Sequence, residues 1–235
     1  MKKKFIALII FLITIVSLLN FSTKEKIISQ EQPKYLWSIR SIDTMKTSRD
    51  KARVRLYDLN FDKEINKELQ AIKNMGANYV AIDTPYDDEF LPYLTRWIKL
   101  ARKTELKVWF RGNWSNWEGW FDYPKNLTPE RHQAKTAEFI ETHPDFFKDG
   151  DIFDPCPECE NAGFWKQPDD NAKYNEFIQN QRIVLKNSFN KINKKVYTNI
   201  FSIIGGRAIE VLVKKTLDAL DNVVTIDHFV KNPSS

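Results

Sequence analysis

The fold of this chain is decided by residues 150–161, which read GDIFDPCPECEN. Residues 151–154 predict a short strand, and Pro155 ends it because proline cannot donate to a ladder of backbone hydrogen bonds. The loop that follows carries two carboxylates, Glu158 and Glu160. Catalytic groups of βα-barrels lie in such loops, at the carboxyl ends of the strands. This stretch therefore predicts a barrel with enzymatic chemistry at its mouth.

On both sides of this stretch, short apolar strands alternate with amphipathic helices. Strands are expected at residues 36–42, 78–83, 106–112, 151–154, 196–201 and 223–228. Helices are expected at residues 61–75, 90–104, 128–142, 171–190 and 207–220. Alternating strands and helices indicate right-handed βαβ units and a parallel sheet.

The turn after the first strand distinguishes a closed barrel from an open nucleotide-binding sheet. The open sheet needs a glycine-rich turn there, but residues 43–47 read DTMKT and contain no glycine. Gly205 and Gly206 follow the fifth strand without the rest of a phosphate-loop spacing. The chain is therefore expected to be an α/β protein of the TIM-type (β/α) barrel class, with about six of eight βα units present and no cofactor.

Polar side chains stand at the carboxyl end of every expected strand. They are Asp43, Asp83, Arg111 with Asn113 and Trp114, Glu158, Asn199, and Asp227 with His228. We expect them to bind a sugar-sized polar ligand at the barrel mouth. For Asp43 and Asp83, capping of the following helix is an equally good explanation.

Tryptophans are concentrated in two loops that would rim this mouth. They are Trp114, Trp117 and Trp120, with Trp165 further along the chain. Aromatic faces stack on sugar rings, so we expect these side chains to bind a polysaccharide. The alternative is a small hydrophobic cluster that holds the long loop in place.

Cys156 and Cys159 form the chain's single Cys-x-x-Cys pair. A zinc site is not expected, because there are no other cysteines and the three histidines are scattered. In an exported protein we expect a disulfide that rigidifies the Glu158 loop, with free thiols as the alternative. A thioredoxin-like redox role is not expected, since the pair does not open a helix after an early strand.

The amino terminus has the pattern of an export signal. Three lysines at residues 2–4 precede an apolar run over residues 5–19, shorter than the ~20 residues of a spanning helix. We expect residues 1–23 to be a signal peptide or membrane anchor, 24–34 a linker, and 35–235 the barrel. The protein is then exported, either secreted or anchored to the outer face of the cytoplasmic membrane, and only the amino-terminal segment touches the membrane.

The charge balance argues against a nucleic-acid partner. The formal net charge is +5, and subtracting the 3 leader lysines leaves +2 for the rest of the chain. Nucleic-acid-binding domains carry a far larger basic excess. Most remaining lysines alternate with acids along the helices, which is typical of solvated surfaces.

Three motifs together resemble the glycoside hydrolase clan A superfamily, the cellulase-like retaining barrels. They are RGNW at residues 111–114 after the third strand, Glu158 after the fourth, and DHF at residues 227–229 after the sixth. In that superfamily an acid/base Glu follows the fourth strand, usually behind an Asn, and the nucleophile Glu follows the seventh. The resemblance implies that Glu158 is the acid/base. Pro157 stands in place of the Asn, and Glu160 is a competing register.

The resemblance also implies two further strands. The expected strands stop near the end of the sequence, so we expect a barrel truncated after its sixth unit, with the nucleophile beyond Ser235. A barrel completed by a partner and a degenerate binding protein are the alternatives. The implied function is cleavage of a polysaccharide or oligosaccharide by a retaining two-carboxylate mechanism. The alternative is a non-catalytic carbohydrate-binding or cell-envelope protein on the same fold.

Overall fold

The computed structural model describes residues 40–157, 159, 171–203 and 223–227. The expected helix at residues 207–220 lies outside this part of the chain, as does most of the expected first strand. For the last four residues of the fifth strand and for the whole sixth strand, the backbone alone is described.

Six parallel strands form one sheet. They are β1 (Ser41–Asp43), β2 (Tyr79–Ile82), β3 (Lys107–Phe110), β4 (Ile152–Phe153), β5 (Tyr197–Ile203) and β6 (Val223–Asp227). Their order in the sheet is their order in the chain. A doubly wound sheet reverses its strand order at a switch point, and this sheet does not. The predicted parallel α/β sheet is thus confirmed, and its sequential order is consistent with part of a TIM-type fold.

Helices lie between the strands along the chain. They are α1 (Met45–Ser48), α2 (Asp62–Asn74), α3 (Leu91–Lys103), α4 (Ser115–Glu118), α5 (Pro129–Thr142) and α6 (Asn171–Lys191). The four long helices agree closely with the expected ranges. The single-turn helices α1 and α4 were not predicted, because four residues are too few to show a helical period.

Helix α2 shows how the sequence sets these elements. Ile65, Leu69 and Ile72 recur at helical spacing and are its buried side chains. Their stripe packs towards the core while the remaining positions stay solvated. The helix ends before Gly76, whose φ of +83° a residue with a Cβ rarely adopts.

Aromatic rings fill the space between the sheet and helices α5 and α6. Phe153 on β4 stacks on Tyr86 with ring centroids 5.3 Å apart. Phe189 of α6 contacts the Phe153 ring edge-on, with centroids 5.7 Å apart. Phe139 of α5 lies 4.8 Å from Tyr86. These rings are buried, so they pack the fourth strand against both α5 and α6.

A buried ion pair ties the amino-terminal edge of the sheet together. Asp151, directly before β4, accepts from Arg102 of α3 at 2.7 Å and from the backbone N–H of Val108 at 3.1 Å. Its second oxygen accepts from the backbone N–H of Lys148 at 2.7 Å. Each carboxylate oxygen of Asp151 therefore has hydrogen-bond partners, as a fully buried charge requires.

Candidate functional site

The register of the sheet places four polar residues at one level. Ile82 pairs with Phe110, Phe110 with Phe153, and Phe153 with Thr198. The residues that follow these pairing positions are Asp83, Arg111, Asp154 and Asn199, which we call the strand-end layer. Asp83, Arg111 and Asn199 were predicted to bind a ligand, and the register brings them to one level of the sheet. Asn199 is the third residue of β5 and lies inside this strand, not at its carboxyl end as expected.

Arg111 links the carboxyl groups of two other strand ends. Its Nη1 donates to Asp43 Oδ2, and its Nε lies 3.9 Å from Asp83 Oδ1. Asp43 is partly exposed, whereas Asp83 is almost completely buried. Two carboxyl groups and one guanidinium thus meet at the ends of β1, β2 and β3, where Asp43 lies beside the strand-end layer.

The surroundings of Asp83 favour its neutral form. Burial raises its pKa well above 3.8, and the nearby charge of Asp43 raises it further, while Arg111 and Arg49 oppose the shift. Its buried Oδ2 has no hydrogen-bond partner among the described residues, and a buried carboxylate oxygen without one is unfavourable. The raised pKa therefore favours the carboxylic acid, whose O–H is a hydrogen-bond donor.

The capping explanation applies to Asp43 but not to the carboxyl of Asp83. Asp43 Oδ1 accepts from the backbone N–H of Met45 at 2.6 Å, at the start of α1. Asp83 is positioned through its backbone, whose N–H donates to Ser48 Oγ at 2.9 Å. One oxygen of Asp43 thus serves the helix, and its other oxygen faces Arg111.

Asp154 and Asn199 form the other half of the layer. Asn199 Nδ2 donates to Asp154 Oδ2 at 3.0 Å, and the backbone N–H of Cys156 donates to Asp154 Oδ1 at 3.1 Å. Both side chains are fully buried. Asp154 was missed as a site residue; the signal was its position directly after the fourth apolar strand.

The side chain of Asn113, predicted to bind ligand, is buried and connects the loop after β3 with α5 and with Cys156. Its Oδ1 accepts from the backbone N–H of Trp114 at 2.8 Å and lies 3.0 Å from His132 Nε2 on α5. Its Nδ2 donates to Glu118 Oε1 at 2.5 Å and to Cys156 Sγ at 3.6 Å. Its amide is therefore used in organising the loop after β3.

His132 is buried in this connection as a neutral ring. Burial lowers its pKa to about 3, with Lys135 adding to the effect and Gln181 opposing it. The Trp117 ring lies 4.5 Å from the imidazole, and Phe177 of α6 meets it edge-on at 5.5 Å. His132 thus belongs to the packing between α5 and α6.

Trp114 and Trp117 are both buried. Trp117 stacks on Phe177 with centroids 5.4 Å apart, and Lys135 Nζ lies 4.2 Å from the Trp114 ring centroid. From the sequence, these rings were expected to line a sugar cleft. The alternative was a small hydrophobic cluster that holds the long loop in place. Their packing has the geometry of that cluster, since a fully covered ring has no free face for a sugar.

Cys156 and Cys159 are joined by a disulfide and are both buried. The bridge closes the loop beside Asp154 and Asn113. Glu158 lies inside this loop in the sequence and Glu160 directly after it, and both fall outside the described residues, as do Trp165 and His228. Only the backbone of Asp227 is described, at the end of β6. The roles expected of these five residues stay predictions.

A separate cavity of about 690 Å³ runs along α5. Tyr86, Asp87 and Trp114 contribute to its walls, and no residue of the strand-end layer does. The Asp87 carboxylate accepts from the backbone N–H of Ser115 at 2.7 Å and lies 3.6 Å from Lys135 Nζ. We assign the candidate site to the strand-end layer, because ligands of parallel α/β sheets bind outside the carboxyl ends of the strands.

The described residues contain neither a cluster of metal ligands nor a membrane-spanning helix. No group of three side chains among His, Cys, Asp and Glu is placed there to hold a metal ion. In the same part of the chain, every helix is too short or too polar to cross a bilayer.

The sheet and its strand-end layer define a parallel α/β protein with a polar site at the carboxyl edge. No family model matches the sequence, and no curated protein matches it. Among solved structures, it is similar to apo 3-keto-D-glucoside 4-epimerase from E. coli, at 14% identity and a TM-score of 0.38. The match covers 69% of this chain and 62% of that one. A likeness this weak carries no argument about function, and the clan A resemblance remains a hypothesis.

Proposed function

We propose that this protein binds a polysaccharide or oligosaccharide at the carboxyl edge of its sheet and acts on it by acid/base chemistry. The proposal rests on one observation, the pairing of the exposed carboxyl group of Asp43 with the guanidinium of Arg111 at the strand ends. These two groups offer sugar hydroxyls an acceptor and several donors, whereas Asp83, Asp154 and Asn199 are buried.

The Asp43 and Asp83 pair is not a glycosidase pair by itself. A retaining enzyme holds its two carboxyl groups about 5–5.5 Å apart, with the sugar between them. The guanidinium of Arg111 lies against both carboxyl groups, which leaves no room for a sugar between the two. In the proposed site Asp43 and Arg111 bind hydroxyl groups.

Glu158 is the proposed acid/base, as the clan A resemblance implies. Its carboxylic acid would protonate the glycosidic oxygen as that bond breaks, while a second carboxylate forms a bond to the anomeric carbon. Water then cleaves this ester, giving its proton back to Glu158 and its hydroxyl to the sugar. The place of Glu158 in the sequence, inside the disulfide-closed loop that follows Asp154, supports this role.

Binding is tested by calorimetry and by retention on insoluble cellulose, xylan, chitin and peptidoglycan. We expect retention on at least one polymer and loss of retention in Arg111→Lys, because a lysine cannot bridge two carboxyl groups as a guanidinium does. The matched control is Arg96→Lys: this arginine is also mostly buried and pairs with Asp62 at 2.6 Å, away from the strand ends. Equal binding by wild type and Arg111→Lys, or equal loss in Arg96→Lys, would contradict the proposed site.

Catalysis is tested separately on any polymer that binds. Glu158→Gln should slow turnover strongly on natural glycosides and much less on activated aryl glycosides, which need no proton donor. The selective loss in Glu160→Gln instead would move the acid/base by two residues. Binding without release of reducing ends would favour the non-catalytic carbohydrate-binding alternative.

A further inference from the structure

Three large apolar side chains are exposed together on the segment between β1 and α2. Val54 is 75%, Tyr57 79% and Leu59 70% exposed. We call residues 46–59, which contain these three side chains and five cations, the 46–59 surface. Clustered exposed apolar side chains mark an interaction site, whereas isolated ones need no explanation.

The backbone of this surface sorts its side chains onto two faces. Arg55 N–H donates to the Lys51 carbonyl at 2.9 Å, so the segment makes a helical turn. Ala52 and Leu56 are buried on the inner side of the turn. Val54 and Tyr57, three residues apart, therefore lie together on the outer side.

Basic side chains surround the apolar ones. Residues 46–59 contain five cations, Lys46, Arg49, Lys51, Arg53 and Arg55, against two carboxylates, Asp50 and Asp58. Four of the five cations form ion pairs: Lys46 and Arg49 with Asp50, Arg53 with Glu89, and Arg55 with Asp58. With Glu89 counted as a third carboxylate, the net charge of the surface is 5 − 3 = +2, so its field stays positive.

We propose that the 46–59 surface docks on an anionic lipid bilayer. Apolar side chains enter the boundary between headgroups and acyl chains, and the surrounding cations bind lipid phosphates. An anionic polymer would match the cations but leave Val54, Tyr57 and Leu59 without a role. The amino-terminal sequence gives a second reason, since three lysines before the apolar run of residues 5–19 are expected to meet a membrane.

The test reads contact at one residue, because the amino-terminal segment can hold the full chain on a membrane by itself. Tyr57→Cys in the full chain is labelled with an environment-sensitive fluorophore, which the disulfide-bonded Cys156 and Cys159 do not take up. With vesicles of phosphatidylcholine and phosphatidylglycerol we expect a blue shift, and several-fold stronger quenching when the lipid chains are brominated. With phosphatidylcholine alone we expect neither.

Two controls separate docking from general adsorption. The same label at Ile183, exposed by 56% on α6, should show no lipid response. Lys46→Gln with Lys51→Gln should abolish the response at residue 57 while the thermal transition is unchanged. The proposal is overturned if residue 57 does not respond to anionic vesicles, responds equally to neutral ones, or responds equally to dextran sulfate without lipid. It is also overturned if residue 183 responds as strongly.

Discussion

Arg111 donates a hydrogen bond from its Nη1 to Oδ2 of Asp43, the last residue of β1. Its Nε lies 3.9 Å from Oδ1 of Asp83, so one guanidinium faces both carboxyl groups. Asp83 is almost completely buried, and burial raises its pKa well above 3.8. This arrangement gives the proposed site an acid that stays neutral at pH values where an exposed Asp is ionised.

Asp83 should make the fold less stable as the pH rises. Its pKa in the folded state is raised well above 3.8, so the stabilisation is full below 3.8 and is lost as the pH rises through the folded pKa. Asn has nearly the size and shape of Asp but cannot ionise. Relative to wild type, Asp83→Asn should gain about 1.4 kcal/mol of unfolding free energy per pH unit within this window. Urea unfolding across the pH range measures the difference.

Asp88→Asn, the same substitution at an exposed position, controls for the loss of one carboxyl group from the chain. A pH-independent difference for Asp83→Asn would show that its carboxyl group is ionised in the folded protein.

His132 should have the opposite pH dependence. Its folded pKa of about 3 lies below the ordinary 6.5, so its contribution to stability is full above 6.5 and is lost as the pH falls towards 3. At pH 5 the loss is about 2 kcal/mol relative to pH 8. His132→Gln should be less stable at pH 8 but should lose less stability on acidification. Parallel curves for the two proteins would mean that His132 is not neutralised by burial.

The sheet and the long helices could be predicted because they depend on local apolar periodicity. Asp83 and Arg111 could be predicted for the same reason, since each directly follows an apolar strand, and Asp154 has the same position after β4. Asn199 is the third residue of β5, so its expected place at a strand end was wrong. The contact between Asn199 and Asp154 could not be predicted, because it depends on the register of β4 and β5. Register is a property of pairing between distant segments and leaves no local pattern.

The role of the loop tryptophans also could not be predicted from the sequence. An aromatic residue in a loop can stack on a ligand or pack inwards, and only the partners decide. Trp117 packs on Phe177, sixty residues away along the chain. In the same way, the contact between Asn113 and His132 joins the loop after β3 to a helix that begins well after it.

The disulfide can be measured directly. Intact-mass analysis of the oxidised protein should show the chain lighter by the hydrogens of two thiols, and no bound zinc. Cys156→Ser with Cys159→Ser should lower the unfolding free energy by about 2 kcal/mol, the loop-closure value for so short a ring. An unchanged stability, or free thiols in the oxidised protein, would contradict the role of the bridge in holding this loop.

Gly112 should not tolerate a side chain. A Cβ there would lie 2.1 Å from the Thr84 carbonyl oxygen and 2.7 Å from the Tyr86 ring, so the ends of β2 and β3 would be pushed apart. Gly112→Ala should cost several kcal/mol, on the order of the worst overpacking changes. Gly76→Ala is the control, because its Cβ has room and the cost is about 1 kcal/mol from its positive φ. Similar melting temperatures for the two variants would contradict the close approach.

The Arg102 and Asp151 pair should be the most costly ion pair to break. Arg102→Met leaves a fully buried carboxylate with backbone donors alone, and such losses are about 3–5 kcal/mol. Methionine keeps the length and most of the packing of arginine, so the loss reports the charge. Lys191→Met is the matched control, since its partner Glu141 lies at the surface and exposed pairs contribute about 0–1 kcal/mol. Chemical denaturation of both variants at neutral pH gives the comparison. If Arg102→Met lowers the unfolding free energy no more than Lys191→Met does, water must reach the carboxylate of Asp151. The amino-terminal edge of the sheet would then be accessible to solvent.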